Sequence, residues 1–185
     1  IYSSMEVDAL GKCTTGMEVF ADLIAKTANW IIPVARIKPH TDFHGEIESG
    51  IMKMLTVGLG KQQGAQSVHA RGWACMEENI CAGARVLLAS KVAFAIGIVE
   101  NSWHETMICE AIPANRVEKR ERELLRCARE NLLRIPFDKV DVLILERMGK
   151  EISGSGMDPN VTGRSSILGI SRPNIDCIAV FDLTE

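Results

Sequence analysis

The run ARIKPHTDFHGEIESGIMKMLTVGLGKQQGAQSVH, which ends at His69, holds three of the four histidines of the chain, His40, His44 and His69. An unperturbed imidazole titrates near neutrality, so such residues can take or give a proton at physiological pH. Lys38, Asp42, Glu46 and Glu48 crowd the same stretch, and Lys53 is the only charge among Ile51, Met52, Leu55 and Val57. A lysine in that setting is either snorkelling at a rim or placed for chemistry. Gly58 and Gly60 let a backbone approach a ligand closely, and amides beside Gly60 could hold a phosphate. GLGK lacks the GxxxxGK[ST] spacing of a P-loop, so that reading is discarded.

From residue type alone, two further chemistries are open. His40, His44 and His69, with Asp42 or Glu46, would suffice for a zinc hydrolase, which needs three protein ligands and an open position. Alternatively, Lys38, Lys53, Lys61 and the glycine loops would make a non-catalytic module for an anionic metabolite or nucleotide. A second polar block, 149–164, carries Gly154, Gly156 and Gly163 with two cations, Lys150 and Arg164. These cations are assigned to a substrate carboxylate or a cofactor phosphate, arginine being suited to bidentate pairing. His104, behind Ser102 and Trp103, is read as structural, with Glu100 and Asn101 at the same strand end.

Loops on a rigid scaffold need elements to carry them. Hydrophobic periodicity predicts a helix over 16–29 feeding a strand over 30–37, then a helix over 75–88 and an apolar strand over 91–100. A strand over 105–111 follows, then a charged helix over 115–133 whose buried stripe is Val117, Leu124, Leu125 and Ala128, with Glu121 facing Leu125 one turn on. Short apolar strands are expected over 140–145 and 178–181. This alternation predicts an α/β fold, a mainly parallel sheet with helices packed on it. Both polar blocks then start at carboxyl ends of strands, where ligands bind in open α/β sheets. A boundary is placed at 134–139, giving a cofactor-holding portion over 1–135 and the start of a second α/β domain over 136–185.

The residues Pro39-His40, Gly45, Ser49-Gly50, Lys53, Gly58 and His69, with 16 positions from Lys53 to His69, resemble the pattern of the lactate racemase family. The strings RIKPHTDFHGEIESGIMKML and GKEISGSGMDPNVTGR are similar to an uncharacterised branch of it. The resemblance implies a racemase or epimerase of a 2-hydroxy acid, working by proton-coupled hydride transfer to a nickel pincer nucleotide. By the same resemblance Lys53 would carry that nucleotide covalently, Gly58 and Gly60 would lie against it, and His69 would complete the square plane of nickel. His40 would be one of two acid/base histidines. The family's other one lies upstream of the segment seen here, and His44 is the candidate within it. Separate maturation enzymes, which build the cofactor, are implied partners, as is a small 2-hydroxy acid; recombinant protein would lack the cofactor without those enzymes.

Composition sets outer bounds. The 185 residues are 46% hydrophobic and 24% charged, which predicts a globular protein with a sizeable core. A net charge of −3 supplies no basic field for nucleic acid, and no stretch reaches the roughly 20 apolar residues of a membrane span. Six scattered cysteines without a CxxC pair are read as buried thiols in a reducing cytoplasm. An opening Ile and a final strand that stops short lead us to expect an internal fragment, inactive alone. Self-association into a homo-oligomer is left open.

Overall fold

The computed structural model describes residues 1–164 and 173–184. They form two compact units, the first Ile1–Lys38 with Gly45–Asn131, the second Pro39–His44 with the chain from Leu132 onward.

In the first unit β1 (Val7–Lys12) and β2 (Glu18–Asp22) pair antiparallel. The helix expected over 16–29 is therefore reduced to α1 (Leu23–Thr27). Gly16, at φ 80°, makes the tight turn, and burial then alternates, with Val19 and Ala21 inside and Glu18 outside. That period of two outweighs the loose helical spacing. Asp22 closes the hairpin and caps α1, accepting from the Ala25 amide at 2.8 Å and pairing with Lys61 at 3.2 Å. The amide, seconded by Lys61, holds its carboxyl below the usual range.

β3 (Val34–Arg36) runs parallel to β4 (Phe94–Glu100), whose other edge carries β5 (Thr106–Pro113) antiparallel. Between β3 and β4 lie α2 (Ile51–Lys53), a π turn (Met54–Gly58), α3 (Lys61–His69) and α4 (Met76–Leu88). α5 (Val117–Glu130) packs on β4 and buries Val117, Leu124, Leu125 and Ala128. Ile37, Ile51, Leu55, Ile80, Ile112 and Leu124 are fully buried between these layers. Each such side chain contributes about 1.5–3 kcal/mol.

The second unit is built on a parallel pair, β6 (Lys139–Met148) and β7 (Asn174–Leu183). A short α6 (Pro159–Thr162) is capped by Asp158 and ends at Gly163, whose φ of 70° is the left-handed region glycine allows.

The expected mainly parallel sheet does not form. The described residues make three small sheets, an antiparallel hairpin, a mixed three-stranded sheet and a parallel pair. The reason is connection length. Residues 13–17 and 101–105 join β1 to β2 and β4 to β5, and such short links permit hairpins, whereas a parallel crossover needs a dozen or more residues. Two cysteines also depart from expectation: all six are free, but Cys109 and Cys177 are exposed, while Cys13 and Cys81 are buried. Among the described residues no helix is long and apolar enough to cross a membrane.

Candidate functional site

Lys53 ends α2, where the chain passes into the π turn, with the Leu59 amide reaching back to the Met54 carbonyl at 2.9 Å. π turns are rare and concentrate at functional positions. Lys53 lines an open pocket of about 340 Å³ with Arg36, Lys38, Ser49, Gly50 and Gly58. Ala35, Met54 and Val57 complete an apolar wall, so cations stand at the rim of a largely apolar recess. Arg36 is held by Glu100 at 3.1 Å, both on the edge where β3 and β4 end.

The segment leading to Lys53 is tied down through its backbone amides. The Gly45 amide donates to Glu48 Oε1 at 2.9 Å, and those of Glu46 and Ile47 donate to Glu77 Oε1 at 3.0 and 3.1 Å. The Met52 amide donates to Glu121 Oε2 at 2.9 Å. Arg129 then clamps the Gly45 carbonyl and Glu48 Oε1, the latter at 2.6 Å. Glu48, grouped by sequence with the candidate chemistry, is thus a fully buried brace.

Gly60 plays a packing part. A Cβ there would collide with the Thr56 carbonyl and the Gly64 Cα, so the bare backbone lets α3 seat against the π turn. Gly58 differs, because a Cβ there meets only the thioether end of Met54. We expect Gly60→Ala to cost about 1–3 kcal/mol through overpacking. Gly58→Ala should stay within about 0.5 kcal/mol, since Met54 can swing aside. Urea midpoints at constant slope test this contrast, which equal losses for the two variants would refute.

His69, at the end of α3, is exposed, its ring edge-on to Trp73 at 5.2 Å. It does not line the Lys53 pocket. In the second unit His40 is half-buried, stacked at a tilt on Phe43 at 4.5 Å, and its Nδ1 accepts from the Asp42 amide at 3.0 Å. That bond sets the neutral ring in the tautomer with its proton on Nε2. His44 is exposed on the same segment. The Asn160 side chain donates to the His40 carbonyl at 3.0 Å, so residues 39–44 and the 149–164 block do meet.

Lys150 and Arg164 are not brought together. Arg164 donates to the Ile175 and Asp176 carbonyls, at 2.8 and 3.0 Å, where β7 starts. Lys150 lines an open pocket of about 410 Å³ with Gly149, Gly154, Gly156 and Thr184, beyond the other end of β7. His104, at φ 61°, marks the β4–β5 hairpin tip, whose turn is made by Asn101 Oδ1 accepting from Trp103 and Glu105.

Sequence reasoning missed Glu77 and Arg129, and saw Glu121 only as part of a helix face. A signal for Glu121 existed, because it interrupts the apolar stripe of α5 at a buried position. Glu77 and Arg129 bind backbone across long sequence separations, which no local pattern reports.

No protein-family model matches the chain, and no curated protein matches it. Among the described residues no three His, Cys, Asp or Glu side chains gather as a metal-ligand set.

Proposed function

We propose that this chain holds the lysine-tethered nickel pincer nucleotide of a racemase or epimerase acting on a 2-hydroxy acid. The observation that carries the reading is the position of Lys53, an amine at the end of α2, immediately before the π turn, lining a pocket whose other cations are Arg36 and Lys38. A nucleotide with carboxyl and phosphate groups needs such a setting, an apolar wall for its ring and cations for its acids. His69, exposed at the end of α3, would be the protein's ligand to the nickel, an imidazole suiting Ni(II) beside sulfur donors. α3, which ends in His69, packs on the π turn that follows Lys53.

When bound, the group supplies nickel and a pyridinium ring that can take up and return a hydride. The residues of the chain bind, orient and move protons. Lys53 would provide the covalent anchor, Arg36 and Lys38 would hold acidic groups, and Gly58 would leave room beside the anchor. His40 would hold the exchanging proton at Nε2, the nitrogen its Asp42 contact leaves protonated in the neutral ring. Exposed Lys150 is the candidate for the substrate carboxylate. Cofactor-building enzymes are the partners this reading requires.

Peptide mass spectrometry on the protein from its native host, or made together with the cofactor-building enzymes, tests the proposal. We expect a mass increment on Lys53 together with bound nickel. A preparation that racemises a 2-hydroxy acid with Lys53 unmodified would overturn it. The runner-up, a module that only binds an anionic metabolite, rests on the same rim of cations and predicts binding without exchange at the α-carbon.

A further inference from the structure

We propose that Glu121 is a positioning residue for Lys53: its carboxyl group, buried behind Gly50, holds the start of the helix on which Lys53 stands and so sets how the amine is presented to its pocket. The inference goes beyond the cofactor reading and does not rest on it.

Glu121 projects from the buried face of α5 and is completely inaccessible to solvent. One oxygen takes the Met52 amide, and the other, Oε1, has no hydrogen-bond partner. Oε1 occupies the space where a side chain on residue 50 would lie, and a Cβ there would collide with it. Gly50 and Lys53 both line the same pocket, so the carboxyl sits directly behind its wall. α2 begins at Ile51, and its first amides have no acceptor within the helix. Glu121 supplies that acceptor from another element, reaching across 69 positions of sequence.

A buried carboxyl with amides for partners is an expensive way to hold a helix start, because burial disfavours its charged form. Burial pushes the Glu121 carboxyl up to about 7, the like charge of Glu118 adding to the rise and the Met52 and Ile51 amides opposing it. From α2 the facing groups are those amides; β4 carries no charge before Glu100. Glu110 on β5 is bound by Arg120, and Glu118 by Arg85 of α4 and by Arg122. The ionised form is therefore set mainly against burial. Ionised, the group accepts strongly from Met52; protonated, it has one acceptor site fewer and a proton to place. The helix start then differs between the two forms near neutral pH.

Competitive acetylation of the chain expressed alone reads this directly. Trace acetic anhydride is added between pH 5.5 and 9, and peptide mass spectrometry gives the ratio of Lys53 to Lys119 modification, Lys119 being an exposed lysine on α5. Lysines ionise far higher, near 10.4 in free peptides, so their own titration does not bend the ratio near 7. We expect a change of about twofold or more with a midpoint near 7, and a flat ratio in Glu121→Gln. A flat ratio in the wild type, or an unchanged step in Glu121→Gln, overturns the proposal. If Glu121→Gln does not fold, Glu121→Asp replaces it: the shorter carboxyl should shift or abolish the step, and an unmoved step is equally fatal. Melting temperature gives a second reading. A raised carboxyl stabilises the fold below its ordinary pKa and loses that contribution as pH rises through about 7, a fall that Glu121→Gln should not show.

Discussion

Lys53→Arg should reduce isotope exchange at the α-carbon of a 2-hydroxy acid to the buffer background, while leaving the unfolding free energy within about 0.5 kcal/mol of the wild type. The side chain is half-buried at a pocket rim, so the larger guanidinium can be accommodated without disturbing the core beneath Ile51 and Met52. Arginine keeps the positive charge and remains protonated at every accessible pH, but it offers no primary amine for a covalent link. The substitution therefore separates the lysine-tethered enzyme from the anion-binding module. An anion-binding module would retain most of its affinity, because charge is all it asks of position 53. An enzyme with a lysine-tethered group would lose everything. Exchange at wild-type rate in Lys53→Arg would end the enzyme reading at this residue.

Arg129→Ala should be the most damaging change to the fold, costing about 3 kcal/mol. Glu48 is wholly inaccessible, and Arg129 bonds it at 2.6 Å while also holding the Gly45 carbonyl. Removing the cation, itself partly exposed, leaves a buried carboxylate without that countercharge, which is the expensive half of breaking such a pair. The lower end of the usual 3–5 kcal/mol range applies because the Gly45 amide still donates to the same oxygen. Glu48→Gln in the same background should recover part of the loss, since an uncharged amide costs less to bury than a carboxylate. Urea unfolding of the single and double variants measures this coupling, and strict additivity would show that the two side chains do not depend on one another.

The parts of the molecule that were legible in the sequence are those dictated by local pattern. α4 and α5 follow their apolar stripes closely, whereas β6 and β7 contain their expected apolar runs but extend to ten residues each and leave Val142, Ile144 and Phe181 exposed. Lys53 stood out as a lone charge in an apolar turn, and the structure gives that turn an unusual geometry. The parallel-sheet expectation failed because alternation of helix and strand was read without weighing link length, and five residues between β4 and β5 permit a hairpin but no crossover. The 16–29 segment failed for a related reason. Val19 and Ala21 satisfy a period of two as well as a helical one, and pairing with β1 decided between them. Arg164 drew attention as a cation for a substrate carboxylate or cofactor phosphate, yet it donates to carbonyls of a strand more than ten positions away. Such long-range bonds to backbone leave no trace in composition or spacing.

The Met52 amide finds its acceptor 69 positions further along the chain. On a ribosome adding ~10 residues per second, the stretch around position 52 would wait several seconds for its counterpart to emerge. Nascent chains would thus pass through a stage at which Lys53 exists but its seat does not. Any enzyme that decorates that amine while recognising the finished pocket must act after synthesis has moved well beyond it.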